Sequence, residues 1–302
     1  MNKDNPRIFI GRGTMLGDIL ATLPTLAYLK KRWPKSTIVF AMGKKSASAA
    51  MLYLNHPLID EIYITDGQEA LESERDFAKF NSCDIKFNLN PQHRDSEYPN
   101  RRNIYLESFH MQGIDEGLWE VLTEDEKIPK LYKWWNSVKR PFGDKKTILF
   151  TGMPNFGRES KRWVSKKYLE DLLTKLIDLG YCVIQSGGEQ DKYWFSDLSL
   201  GDLIDSNVQE SYFRINEQSF FEQIQIANEC DCIVGSDSGM SLILGAYNLP
   251  QVSLIPIHWG NHNNPSALST NNPNNYSFYS HNGTDDISQE LVIDKIKEKL
   301  YS

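Results

Sequence analysis

The sequence predicts an α/β protein built of two Rossmann-like, doubly wound parallel-sheet domains facing a central cleft. Three observations carry that expectation. Short β-branched or aromatic runs alternate with amphipathic stretches of helical period along most of the chain. The alternation decays once, between about Gly113 and Lys146, into charged, aromatic and proline-containing sequence, and then restarts. The length, 302 residues, suits two domains of roughly 150 residues each. The expected domains are 1–140 and 141–302, with the final helix either completing the second or packing back on the first.

The first half reads as strand Arg7 to Gly11, helix Gly17 to Trp33, strand Thr37 to Ala41 and helix Ser46 to Leu54. Strand Glu61 to Thr65, a polar helix from Glu69 to Phe80 and strand Asp84 to Leu89 follow. In the first helix Ile19, Leu23, Leu26 and Leu29 recur at three- and four-residue steps, as a helix with one face on a sheet requires. Lys30, Lys31 and Arg32 then precede Pro34, which places cations at the negative end of the helix dipole before a stop. The second half reads as strand Thr147 to Thr151, helix Ser165 to Leu179 ending at Gly180, strand Tyr181 to Gln185 and helix Glu189 to Asp197. Helix Ser219 to Glu229, strand Cys232 to Gly235, helix Ser238 to Asn248 and strand Gln251 to Ile255 come next. A polar loop from His258 to Asn275 and a helix from Ile287 to Leu300 end the pattern. Strands separated by helices of this length imply parallel pairing.

Composition narrows the function classes. A formal net charge of -7 disfavours a protein whose main partner is nucleic-acid phosphate. No run approaches the ~18 apolar residues of a membrane span. The four cysteines, Cys83, Cys182, Cys230 and Cys232, lie in or beside apolar segments and read as buried thiols in a reducing compartment. Cys230 and Cys232 lack a second ligand pair at zinc spacing, so no metal site is expected.

The chemistry-bearing residues fall where strands end. Strand one opens into Gly11-Arg12-Gly13-Thr14-Met15-Leu16-Gly17-Asp18, whose glycines let backbone amides approach an anion or a hydroxyl-rich group. Asp18 stands where a Walker A loop needs lysine, and the G-x-G-x-x-x-G spacing is not a dinucleotide fingerprint. Asp18 suits either a carboxylate satisfying the helix dipole or a catalytic base. The later segment Ser236-Asp237-Ser238-Gly239-Met240 follows a strand and starts a helix, a place for phosphate oxygens or simply a capped helix start. Lys161 and Arg162 follow strand Thr147 to Thr151, as diphosphate ligands or as solvated surface charge. Gly188 and Glu189 follow strand Tyr181 to Gln185, where the acid could meet ribose hydroxyls or sit on a first helical turn. Asn90 and His93 follow the fourth strand, and Lys44 the second, as acceptor-side residues or solvated loop positions.

Taken together, these elements resemble the family-9 glycosyltransferases, the heptosyltransferase-like group. Gly17-Asp18-Ile19-Leu20 with Leu23-Pro24 and Leu26 is similar to the opening of that family. Lys161-Arg162-Trp163, Gly187-Gly188-Glu189 and Asp237-Ser238-Gly239 resemble its Lys-Arg-Trp, Gly-x-Glu and Asp-Thr-Gly elements, in the same order. The resemblance spans roughly Arg7 to Thr65 and Thr147 to Ile255.

The resemblance implies a GT-B architecture and an inverting, metal-independent transferase without a cofactor. The N-terminal domain would hold a glycan or glycolipid acceptor through Gly13, Thr14, Gly17, Lys44, Asn90 and His93. The C-terminal domain would hold a nucleotide-diphosphate sugar, a heptose or hexose, through Lys161, Arg162, Gly188, Glu189, Asp237, Ser238, Gly239 and Met240. Asp18 matches the family's general base. Apart from the resemblance, the expected location is cytoplasmic, with the inner face of the membrane as one option. Lys30, Lys31, Arg32 and Trp33 either make a weak peripheral contact with an anionic membrane or only end the helix. The acidic balance leaves no nucleic-acid partner expected. Leu242 replaces a histidine that the family often carries, and His258 and His262 lie in an unfamiliar turn. Leu242 keeps open a non-catalytic nucleotide- or glycan-binding module, and a sugar-nucleotide epimerase or hydrolase is a second rival on the same scaffold. The sequence leaves the donor, the acceptor and the oligomeric state open.

Overall fold

A computed structural model describes residues 4–13, 16–67, 71, 73–88, 121–151, 164–187, 211–215, 217–236, 238–256, 272–280 and 283–301, without the side chains of 18, 166 and 256. The chain divides into two compact units, Met1–Trp134 and Trp135–Ser302.

The first unit runs β1 (Arg7–Arg12), α1 (Leu16–Ala21), α2 (Leu23–Arg32), β2 (Thr37–Met42), a 3-10 helix (Lys44–Tyr53), β3 (Glu61–Ile64), α3 (Glu74–Asn81) and β4 (Ile85–Asn88). Its sheet has the order β3-β2-β1-β4, every pairing parallel. The central strands are apolar on both faces because a parallel sheet is covered on both sides, and Ile8, Phe9, Ile10, Ile38, Val39 and Phe40 are fully buried. The single helix expected over Gly17 to Trp33 is broken at Thr22. Pro24 has no N–H to donate into the preceding turn, and Thr22 donates its hydroxyl to the Ile19 carbonyl at 2.6 Å.

The helix expected over Ser46 to Leu54 is a 3-10 helix. Its buried positions Ser46, Ala49 and Leu52 recur at steps of three, the period of that helix rather than of an α-helix. Helix α3 begins at Glu74, not Glu69, because Ser73 and Asp76 form a reciprocal capping box that sets its start. Asp76 is fully buried, and its carboxylate also accepts the Tyr63 hydroxyl at 3.0 Å and the Asp66 amide at 3.2 Å.

The second unit runs β5 (Thr147–Thr151), α4 (Lys166–Asp178), β6 (Cys182–Gln185), β7 (Tyr212–Arg214), α5 (Phe220–Ala227) and β8 (Cys232–Ser236). Then come α6 (Gly239–Ala246), β9 (Gln251–Pro256), β10 (Asn275–Ser280), a 3-10 turn (Thr284–Asp286) and α7 (Gln289–Tyr301). The sheet order is β10-β9-β8-β5-β6-β7, again with parallel pairings throughout. Counted from β5, that is the 3-2-1-4-5-6 order of a doubly wound dinucleotide-type sheet. Two of its strands, β7 and β10, were not expected from the sequence.

Ser165 caps α4, and Gly180, at φ +86°, turns the chain after it as the sequence pattern requires. Helix α7 buries Val292, Ile293, Ile296 and Leu300 in the second unit's core beside Val234, Val252 and Leu254. Its apolar face is therefore part of this unit's core. At the amino ends of β5 and β8, Asp231 pairs with Arg140 and Lys146 and accepts the Thr147 amide at 2.8 Å. The expected helix Glu189 to Asp197 lies outside the described residues. No helix among the described residues is long and apolar enough to cross a membrane.

Candidate functional site

In an open parallel sheet the ligand crevice lies beyond the carboxyl ends of the strands, at the point where the strand order reverses. In the first unit that point is between β1 and β4, where Gly11 pairs with Asn88. In the second it is between β5 and β8, where Thr151 pairs with Gly235.

At the first of these points β1 runs into Gly13, which is buried. The Gly13 carbonyl accepts the Gly43 amide at 3.0 Å and the Ser46 hydroxyl at 3.5 Å. This ties the turn after β1 to the turn after β2. Lys44 begins the 3-10 helix there, its side chain exposed and its amide donating to the Gly67 carbonyl at 2.8 Å. Gly17 and the backbone of Asp18 lie in the first turn of α1, at the same sheet end. The structure thus brings Gly13, Gly17, Lys44 and the position of Asp18 to one end of the sheet. Thr14, Asn90, His93 and the Asp18 side chain lie outside the described part.

At the second point the start of α6 is set by Ser238, whose hydroxyl accepts the Ser241 amide at 3.2 Å and lies 3.1 Å from the Ser241 hydroxyl. Gly239 and Met240 occupy the first turn, where backbone amides have no partner within the helix. The helix sits close against β8 because Gly235 has no side chain. A Cβ there would lie 2.2 Å from the Ser241 Oγ and 3.4 Å from the Thr151 Cγ2. A buried polar chain holds α6 from below: the Gln251 amide donates to the Ser241 carbonyl at 3.2 Å and to the Ser253 hydroxyl at 3.1 Å. Ser253 in turn donates to the Asn275 Oδ1 at 2.9 Å, linking β9 to β10.

On the other side of β5, strand β6 ends at Gln185 and the chain continues through Ser186 and Gly187. The Ser186 amide and hydroxyl both donate to the Phe150 carbonyl, at 2.9 and 3.2 Å. The Gly187 backbone is gripped by Gln223 of α5, which accepts from its amide at 3.2 Å and donates to its carbonyl at 3.0 Å. Ser238, Gly239 and Met240 are thus placed at the carboxyl edge of the sheet, on the opposite side of β5 from Gly187. Lys161, Arg162, Gly188, Glu189, Asp237, His258 and His262 lie outside the described residues.

Gln223, Thr151 and Gln251 were not picked out from the sequence. Gln223 carried one usable signal, a buried amide on the otherwise apolar face of Phe220, Ile224 and Ala227. A polar group in such a place needs a partner elsewhere in the fold.

The four cysteines are free and buried. Burial pushes the Cys232 thiol up to about 12 and raises those of Cys182 and Cys230 as well, so these thiols stay protonated at neutral pH. Among the described residues no cluster of three or more His, Cys, Asp or Glu side chains could hold a metal ion.

No family model and no curated protein sequence matches the chain. Solved structures do. A glycosyl transferase family 9 protein from Veillonella parvula superposes with a TM-score of 0.70 at 16% identity, covering 99% of this chain and 98% of its own. The E. coli ADP-heptose lps heptosyltransferase II gives 0.65 at 15% identity, over 97% of this chain and 98% of its own. E. coli heptosyltransferase WaaC, solved with ADP, gives 0.56 at 12% identity, over 97% and 99%. At these identities the likeness establishes the fold: the chain has the two-domain GT-B architecture of the heptosyltransferase-like, family-9 proteins.

Proposed function

We propose that the protein is a glycosyltransferase that moves a sugar from a nucleotide-diphosphate donor to an acceptor hydroxyl of a glycan or glycolipid. The observation that carries this reading is the furnishing of both switch points. In the first sheet Gly13, Gly17 and Asp18 sit there, and in the second the start of α6 at Ser238, Gly239 and Met240. The same two-domain fold occurs in an E. coli heptosyltransferase solved with ADP. By analogy the second unit takes the donor and the first the acceptor.

The reaction is a direct displacement with inversion. The acceptor oxygen forms a bond to the anomeric carbon as the bond from that carbon to the diphosphate oxygen breaks. The hydroxyl proton passes to the Asp18 carboxylate, and the electron pair leaves with the diphosphate. Lys161, Arg162 and the first-turn amides of α6 meet the growing negative charge, so the step runs without a metal ion. Glu189 accepts from the ribose hydroxyls. A carboxylate near its ordinary pKa of ~4 is a weak base, and it contributes about 10²–10⁴-fold by acting in concert with attack. The protein works in the cytoplasm, at the inner face of the membrane when its acceptor is a lipid.

A thermal-shift screen across nucleoside diphosphates and their sugars identifies the donor through mass-action stabilisation. Release of nucleoside diphosphate from that donor is then followed with and without added acceptor glycans. Acceptor-dependent release that falls at least ~100-fold in Asp18→Asn, with donor affinity kept, supports the reading. Donor consumption that ignores every acceptor points instead to an epimerase or hydrolase, and binding without consumption to a non-catalytic module.

A further inference from the structure

Gln223 makes an arrangement that neither the fold nor the proposed chemistry requires of a helix residue. It lies at the fourth position of α5, after a Ser219–Glu222 capping box that already satisfies the start of that helix. It is 6% exposed. The amide accepts from the Gly187 N–H at 3.2 Å and donates to the Gly187 carbonyl at 3.0 Å and to the Gln218 carbonyl at 3.1 Å. A side-chain amide thus takes the place of a neighbouring strand and pairs the backbone two residues past the end of β6. Gly187 has no side chain that could hold this direction by packing, so the grip from α5 does it.

The position matters because β6 is the second strand of a 3-2-1-4-5-6 sheet, counted from β5. In doubly wound sheets that bind nucleotides, the carboxyl end of the second strand is where the ribose is met. We propose that Gln223 is a positioning residue for ribose recognition, fixing the backbone at Gly187 where the chain leaves β6. The inference rests on the proposed nucleotide-sugar function and adds a residue 36 positions distant in sequence from the turn it holds.

The test measures dissociation constants for ADP and UDP and for their 2′,3′-dideoxy forms, in wild type, Gln223→Met and Gln223→Glu. Met keeps the length and loses all three hydrogen bonds. Glu keeps the acceptor for the Gly187 amide and loses both donors. The melting temperature and the exchange rate of the Gly187 amide are recorded for each variant. The expected result is faster Gly187 exchange in Gln223→Met, with ribonucleotide affinity about tenfold weaker, equivalent to ~1.4 kcal/mol. The dideoxy forms should lose less than twofold, and Gln223→Glu should fall between Met and wild type. Equal losses for the ribo and dideoxy forms would mean that Gln223 only supports the fold, and unchanged affinities in both variants would also overturn the proposal. If Gln223→Met does not fold, the ribo–dideoxy comparison in Gln223→Glu decides by the same criterion. A wild-type protein that binds neither these four ligands nor GDP nor TDP removes the nucleotide-sugar reading itself, whatever the amide exchange says.

Discussion

Gly235→Ala is the substitution whose cost can be worked most directly from the coordinates. The new Cβ would lie 2.2 Å from the Ser241 Oγ and 3.0 Å from the Ser241 Cβ. Neither atom can easily retreat, because Ser241 is buried on the first turns of α6 and its hydroxyl and amide are held by Ser238. Overpacking of this kind costs about 1–3 kcal/mol, and a displaced N-cap adds about 1 kcal/mol. A unit of this size melts ~2–4 °C lower per kcal/mol lost, so the second unit should melt roughly 5–15 °C below wild type. Scanning calorimetry, which separates the transitions of two units, is the assay. Ser241→Gly in the same chain removes both clashing atoms and leaves the Thr151 Cγ2 at an ordinary 3.4 Å. The double variant should therefore melt above Gly235→Ala alone, although glycine in a helix itself costs about 1 kcal/mol. A Gly235→Ala protein that melts with wild type, or a double variant in which the two losses simply add, refutes the close approach of α6 to β8.

Thr151 is fully buried and its hydroxyl has no hydrogen-bond partner among the described residues. Thr151→Val should therefore be neutral or stabilise the ligand-free protein by up to about 1–3 kcal/mol of relieved desolvation, read as a higher melting temperature, and a clear loss of stability contradicts that. His56 is buried and neutral, accepting the Leu58 amide at Nδ1 (3.2 Å) and donating from Nε2 to the Lys130 carbonyl (3.0 Å). Burial lowers its pKa below 6.5, with the Lys130 bond acting the other way. The unfolded chain therefore binds the extra proton first. The His56 contribution is complete above pH 6.5 and shrinks as pH falls from there toward the depressed folded value. Melting temperature followed from pH 8 to 5 should show that loss in wild type and a smaller one in His56→Gln. Parallel curves would contradict it.

The centres of both sheets were legible in the sequence because they are governed by short-range rules. Ile8-Phe9-Ile10 and Cys232-Ile233-Val234 are continuous apolar runs, as strands buried on both faces must be. The missed strands are peripheral. Tyr212–Arg214 has only three residues, with Phe213 42% exposed, and Asn275–Ser280 mixes Tyr276, Phe278 and Tyr279 with polar residues and exposes both tyrosines, so neither shows the continuous apolar run of a central strand. The break at Thr22 and the 3-10 period of Ser46, Ala49 and Leu52 were written in Pro24 and in the three-residue spacing, but both are weak against a general helical pattern. At the candidate site, glycines and a capping serine were readable beside strand ends, and the structure puts Gly13, Gly17 and Ser238 at the carboxyl ends of the sheets. The supporting contacts did not show in the sequence. Gln223 with Gly187, and Gln251 with Ser253 and Asn275, join residues far apart in the chain, and only the folded sheet brings them together.

Backbone amide exchange with and without saturating ADP or UDP tests the central claim most directly, because it reports where a nucleotide sits without knowledge of the acceptor. The account predicts protection at Gly187 and over Gly239–Leu242, with the amino ends of the strands near Thr147 and Asp231 unchanged. Binding with protection confined to those amino ends, or to the first unit, would contradict it.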